Sequence, residues 1–315
     1  MTRPVRRSFR AVAAVVATVA TVGIALACGV RSGRGVEHEM AVRQSRLAAA
    51  LHQSRGQAEV ATFLDRPLAR WLLPGALAEI SGLALTTDGR LLAHGDERAI
   101  VSEIDPRRGV LVKSFTLGER PVKGDFESIA MVGERLFLLT SKGKLYESRE
   151  GGNGASMPYQ ETDTHLGKDC EFEAMTWDPD AKRLLLACKH VHRKRLKRDD
   201  AVVLIRIPLP GASGDTTVSE IPLTEFTSPL GTHGFHPSDI ARVPMNGDFL
   251  LVAGIERALA EITPDGRVVW AHALVAARHP QPEGVVVTRD STIIVSDEAH
   301  GGTAAVTVYA YPTAP

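Results

Sequence analysis

The chain has 315 residues, 44% of them apolar and 23% charged, with 37 basic residues set against 37 acidic ones. That composition suits a globular protein with a sizeable core and argues against wholesale disorder. Without Arg3, Arg6, Arg7 and Arg10 the balance is 33 basic to 37 acidic residues, which lacks the basic footprint of a nucleic-acid binder.

Residues 1–27 carry the parts of an export signal. The four arginines precede Ala11 to Ala27, a stretch without charge, and Ala25-Leu26-Ala27 is a small-residue cleavage pattern. The stretch falls short of the roughly 20 residues that span a bilayer as a helix. Cys28 follows directly, so the segment reads either as a cleaved signal peptide or as an anchor with lipid on Cys28. Either reading sends the chain out of the cytoplasm, to the cell envelope or periplasm, and the second ties it to the membrane through its N-terminus. Residues 28–61 read as a linker. Gly29 to Gly35 is flexible in composition, and Glu37 to Leu51 favours a short helix with Met40, Leu47 and Leu51 on one side.

From residue 62 to 315 the pattern changes to short strands broken by Gly, Pro and Asp turns, an all-β signature. Leu68 to Leu73 alternates and stands alone. Four groups of strands follow, starting near Leu83, Ile129, Met175 and Ile240, each completed by three more strands. A last group, Val285–Val287, Ile293–Ser296 and Val306–Tyr311, has only three. The lone first strand therefore completes the last group, which closes five blades into a ring. Each group opens on one arrangement, with an acidic or hydroxyl side chain two residues before the first apolar position. Those residues are Ser81, Glu127, Glu173, Ser238 and Glu283, spaced 46, 46, 65 and 45 residues apart. A strand repeat of that length is the mark of propeller blades.

Two motifs go further. Phe235-His236-Pro237-Ser238-Asp239-Ile240 and the ending His279-Pro280-Gln281-Pro282-Glu283-Gly284 with Ser296-Asp297-Glu298 resemble the SdiA-regulated family, over roughly residues 65–311. The resemblance implies an N-terminal membrane segment and a five-bladed propeller that binds calcium. The esterase-like propellers associated with phytase are similar as well, sharing the acid-opened strands and the final Ser-Asp-Glu.

The first strand of each propeller blade lines the central channel, so the five aligned residues are expected to ring one mouth. Asp125, Glu171 and Asp239 come from the same loops. Three glutamates converging on an axis repel one another unless a cation lies between them, and oxygen donors from several sides suit Ca²⁺. The metal-ligand set expected is Glu127, Glu173, Glu283, Ser81, Ser238 and Asp239. The bland alternative is a packing device, in which acids accept hydrogen bonds from the backbone of the neighbouring blade. Lys189, His190, Arg193 and Arg195 belong to the densest basic run of the exported part. That run is either a solvated hairpin tip or an anion contact. Cys170 and Cys188 fall close together in the third blade's first hairpin, as a disulfide or as two buried thiols.

Three functions fit these readings. The first is a calcium-binding propeller acting as a binding module for a small molecule or protein. The second is a metal-dependent hydrolase of phosphate esters, esters or lactones, with Glu283, Asp297 or His236 as general base. The third is a structural ion with function on the outer surface. Signals for other chemistry, such as a nucleophile elbow, a phosphate-binding P-loop or a zinc helix motif, are missing from the sequence.

Overall fold

The computed structural model describes residues 63–192 and 200–312. The expected signal peptide, Cys28, the linker helix, Arg193 and Arg195 lie outside them. The chain enters the fold on β1 (Ala69–Leu72) and then winds through five sheets, antiparallel except for one short strand.

The first blade is β2 (Ile80–Leu85), β3 (Leu91–Gly95), β4 (Ile100–Asp105) and β5 (Val110–Leu117). The second is β6 (Phe126–Val132), β7 (Arg135–Thr140) and β8 (Lys144–Arg149). After it, β9 (Ser156–Met157) crosses back to pair in parallel with β5, and β10 (Gln160–Asp163) completes the second sheet. The third is β11 (Cys170–Asp178), β12 (Arg183–Val191), β13 (Ala201–Ile207) and β14 (Thr217–Pro222). Helix α1 (Leu223–Leu230) leads to the fourth, β15 (Pro237–Arg242), β16 (Phe249–Ala253), β17 (Ala258–Ile262) and β18 (Val268–Ala273). The fifth is β19 (Pro282–Val287), β20 (Thr292–Asp297) and β21 (Ala305–Ala310), with β1 as its outer strand.

The ring closes as the strand count requires. Ala69 pairs with Val308 and Leu72 with Ala305 in antiparallel register, so the last blade takes its fourth strand from the start of the domain. The core confirms the circle. It consists of five apolar layers, each between two consecutive blades, including one that joins the fifth to the first through Val286, Ile294, Leu83 and Ala93. Blade strands such as Leu136–Thr140 and Phe249–Ala253 are buried throughout, because each blade is covered on both faces.

Two features were not legible beforehand. Part of the long 65-residue interval folds as α1, which ends on Gly231 in the left-handed region (φ 67°), where a side chain would be strained. Its buried Phe226 stacks on Phe235 at 4.5 Å between ring centroids. The inner strands also start earlier than their apolar runs, so the aligned acids lie within strands rather than in the loops before them. Among the described residues no helix is long and apolar enough to cross a membrane.

Candidate functional site at the acidic mouth of the channel

Every inner strand carries a β-bulge at one phase. On the first blade Ile80 pairs with Gly95 and Gly82 with His94, which leaves Ser81 as the extra residue. The same skip falls on Glu127 between Phe126 and Ser128. It recurs on Glu173 between Phe172 and Ala174, on Ser238 between Pro237 and Asp239, and on Glu283 between Pro282 and Gly284. A bulge adds a residue, bends the strand and re-aims the side chain it carries. The five bulges fall at one level of the ring, and the contacts of Glu127, Glu173, Ser238 and Glu283 bring those four to one mouth.

Three of the five are glutamates, and each lies in the electrostatic field of the others. Burial pushes Glu127 up to about 8, and the charges of Glu173, Asp125 and Glu283 add to the rise while Lys189 opposes it. Glu173, only 6% exposed, is pushed up to about 7 by burial, against the hydrogen bond and charge of Lys189. Burial also raises Glu283, against hydrogen bonds from Gln281 and Ser238 and the charge of Lys189. Glu127 and Glu173 therefore hold protons near neutral pH unless a cation replaces them.

Ser238 is buried, and its Oγ accepts from the Gly254 N–H at 3.1 Å. Gly254 is where the mouth needs a missing side chain. A Cβ there would lie 2.8 Å from Ser238 Oγ and 3.4 Å from Glu283 Oε1. Ser81 is half-buried at its bulge.

Three expectations are corrected. Asp239 is not at the rim. One residue past the bulge, it is completely buried, and its carboxylate is filled by donors. Oδ2 accepts from Val285 N–H (3.0 Å) and Leu83 N–H (3.4 Å), and Oδ1 from Ile240 N–H (2.9 Å) and Ser128 Oγ (3.2 Å). Ser128 Oγ in turn accepts from Met175 N–H at 2.9 Å. Asp239 thus ties its own blade to the fifth and first directly, to the second through Ser128 and to the third beyond it. This is the packing device, realised at one position. Burial pushes its carboxyl well above the usual carboxylate range, against the pull of these donors.

Asp297 does not face the open mouth either. It is fully buried, and its Oδ2 accepts from His279 Nδ1 at 2.8 Å, while His279 Nε2 meets the Tyr309 hydroxyl. A group sealed in this way cannot serve as a base toward a ligand in the channel. Lys189, read as part of a solvated hairpin tip or an anion contact, is instead the acids' own partner. β12 carries a second irregularity that pairs Glu171 with His190 and Phe172 with Cys188, skipping Lys189. Its Nζ donates to Glu173 Oε1. Burial works against the ammonium, but Glu173, Glu283 and Glu127 together hold it above its usual range.

Beside this cluster, His236 is held twice by Glu256, through its backbone N–H (2.9 Å) and Nδ1 (2.8 Å). The Glu256 hydrogen bond raises the His236 imidazole above its ordinary value. The His190 ring stands 5.4 Å from the His236 ring, and His190 itself is exposed. Cys170 and Cys188 are joined in a disulfide with Cα atoms 5.6 Å apart, immediately before Lys189 on β12. Gln281 is the contributor that strand reading passed over, while Glu256 and Lys189 come from the ends of second strands. The signal for Lys189 was its place at the end of a second strand, where the other blades put Asp96, Ser141, Gly254 and Glu298.

The donors fit a hard cation in kind, being carboxylate and hydroxyl oxygens from different blades. No three His, Cys, Asp or Glu groups among the described residues are gathered closely enough to hold a metal ion. At the far end the channel widens into a cavity of about 750 Å³ lined by Leu85, Met131, Trp177, Arg242 and Val287.

No protein-family model matches the chain, and no curated protein matches it in sequence. Solved structures do resemble its fold. A glutaminyl cyclase from Myxococcus xanthus is 14% identical with a TM-score of 0.53, over 77% of this chain and 94% of that one. The PQQ-bound aldose sugar dehydrogenase from Streptomyces coelicolor is 13% identical with a TM-score of 0.52, over 78% of this chain and 99% of that one. At these identities the likeness is one of propeller architecture alone.

Proposed function

We propose that this chain is an exported, membrane-tethered propeller of the SdiA-regulated type that holds a divalent cation, calcium foremost, at the acidic mouth. On this reading it works as a binding module for a small molecule or protein. The observation that carries the reading is the convergence of Glu127, Glu173 and Glu283 from three blades, each raised by burial and by its neighbours' charge. A bound ion would be held by these carboxylates, with Ser81 and Ser238 as further oxygen donors, and would offset the burial and repulsion that raise them.

The test is a titration of the full-length chain with CaCl₂ and MgCl₂, read by calorimetry and by thermal melting. Calcium is expected to bind and to raise the melting temperature, and Glu173→Gln to weaken binding about tenfold or more, the ~1.4 kcal/mol of one lost charged ligand. Absence of binding heat in the parent chain would sink the reading.

A second reading keeps the same ion but gives it chemistry, the hydrolysis of phosphate esters, esters or lactones. Its support is His236, which sits in the fields of Glu173 and Lys189 and is oriented by Glu256 as a general base would be. An ion there would polarise a substrate oxygen or activate water. Turnover of any of the three substrate classes that needs Ca²⁺ and is lost in His236→Ala would favour this reading over the binding module.

A further inference from the structure

We propose that Lys189 is a tethered competitor for the cation, a built-in ammonium that keeps monovalent ions out of the acidic mouth and yields only to a divalent one. The proposal rests on the reading of that mouth as a cation site and adds what controls it.

The argument starts from the strand. Two bulges face each other on the third blade, Glu173 on β11 and Lys189 on β12. No other blade has a second skip across its first strand pair at this level. The Cys170–Cys188 disulfide fastens the two strands at this point, so the base of the Lys189 side chain is fixed and any displacement of Nζ must come from its four-carbon stem. In the position observed, Nζ donates to Glu173 and lies in the fields of Glu127 and Glu283, with His236 as the nearby basic group. The cation position of the mouth is therefore served from within the chain.

Charge decides what can replace it. A sodium or potassium ion exchanged for the ammonium leaves the total charge facing the three glutamates unchanged, breaks a charge-assisted hydrogen bond and requires dehydration of the ion. A divalent ion adds one further positive charge against three carboxylates, and the attraction grows in proportion. Tethering supplies the ammonium at high effective concentration, so the apparent affinity of any incoming ion is reduced by the fraction of time Lys189 is seated.

The experiment is calorimetric titration of CaCl₂ into the full-length chain, as parent, Lys189→Met, Lys189→Gln and Lys189→Arg, at low salt and with 150 mM NaCl against choline chloride at equal ionic strength. Met and Gln are expected to bind Ca²⁺ at least ~10-fold tighter than the parent at low salt. They are also expected to lose much of that gain in sodium but not in choline, because sodium now enters. Arg keeps the charge and should behave as the parent, which separates loss of charge from loss of shape. Having both Met and Gln guards against one of them failing to fold. Equal or weaker Ca²⁺ binding in both would overturn the competitor while leaving the cation site intact. No binding in the parent or any variant would remove the site and the competitor together.

Discussion

The two ends of the channel are built from the same five strands and differ by four positions along each. At one end stand Ser81, Glu127, Glu173, Ser238 and Glu283, and four residues further on stand Leu85, Met131, Trp177, Arg242 and Val287. The first set is delivered by bulges and brings like charges together. The second lies on regular strand and lines a cavity whose wall mixes apolar residues with Arg242, Thr176 and Asp88. The difference shows where the channel gathers its like charges: at one level of the inner strands, on residues that the strand ladder leaves unpaired. A similar contrast separates the mouth from the hub one residue beneath it. Asp239 is a buried carboxylate with a donor for each lone-pair direction in use, whereas Glu127 has other carboxylates for neighbours. A buried carboxyl group surrounded by donors ties blades together, whereas buried carboxyl groups set beside one another repel.

The hub offers the sharpest break. Asp239→Ala leaves the N–H groups of Leu83, Val285 and Ile240 and the hydroxyl of Ser128 without their acceptor. The expected loss is about 3–5 kcal/mol, a fall in melting temperature on the order of 10 °C. Glu173→Gln at the mouth should change the metal-free melting temperature by no more than about 2–4 °C, roughly the equivalent of 1 kcal/mol in a domain of this size. Equal losses at the two positions would erase the distinction between hub and mouth.

The mouth should also show in the pH dependence of stability. Glu127 lies at about 8 in the folded protein against an ordinary 4.5, so between those values the folded chain keeps a proton that the unfolded chain has released. Stability contributed by the neutral form is present below the lower value and is lost as pH rises through the higher one. The metal-free chain should melt a few degrees lower at pH 8 than at pH 5, by roughly 2–4 °C per kcal/mol lost. Glu127→Gln should flatten that slope, and a slope unchanged in the variant would mean that Glu127 does not carry it.

The smallest effect is expected at His236. Its imidazole is raised by Glu256, so the stabilisation from that pair is complete below the unfolded value of 6.5 and fades as pH climbs through the folded one. In Glu256→Gln the NMR titration midpoint of His236 should move down, with less than about 1 kcal/mol lost in stability, as for other part-exposed pairs. An unmoved midpoint would detach His236 from the mouth's electrostatics.

Much of this molecule could be read along the chain. The 46-residue spacing, the alternating apolar runs and the orphan strand at Leu68–Leu73 specify five blades and their closure, because strand period and turn chemistry are local properties. The recurrence of Glu127, Glu173 and Glu283 at one phase of that repeat likewise places them at one mouth. What could not be read was direction and partnership. A bulge depends on how many residues the opposite strand spends over the same stretch, so the switch of Ser238 toward the mouth and Asp239 into the axis exists only once β15 and β16 are paired. For the same reason Asp297 lies sealed against His279, and Lys189 turns from a basic hairpin residue into the counter-ion of Glu173. Hydrogen-bond partners more than a hundred residues away, such as Ser128 for Asp239, are assigned by ring closure, which no local stretch encodes.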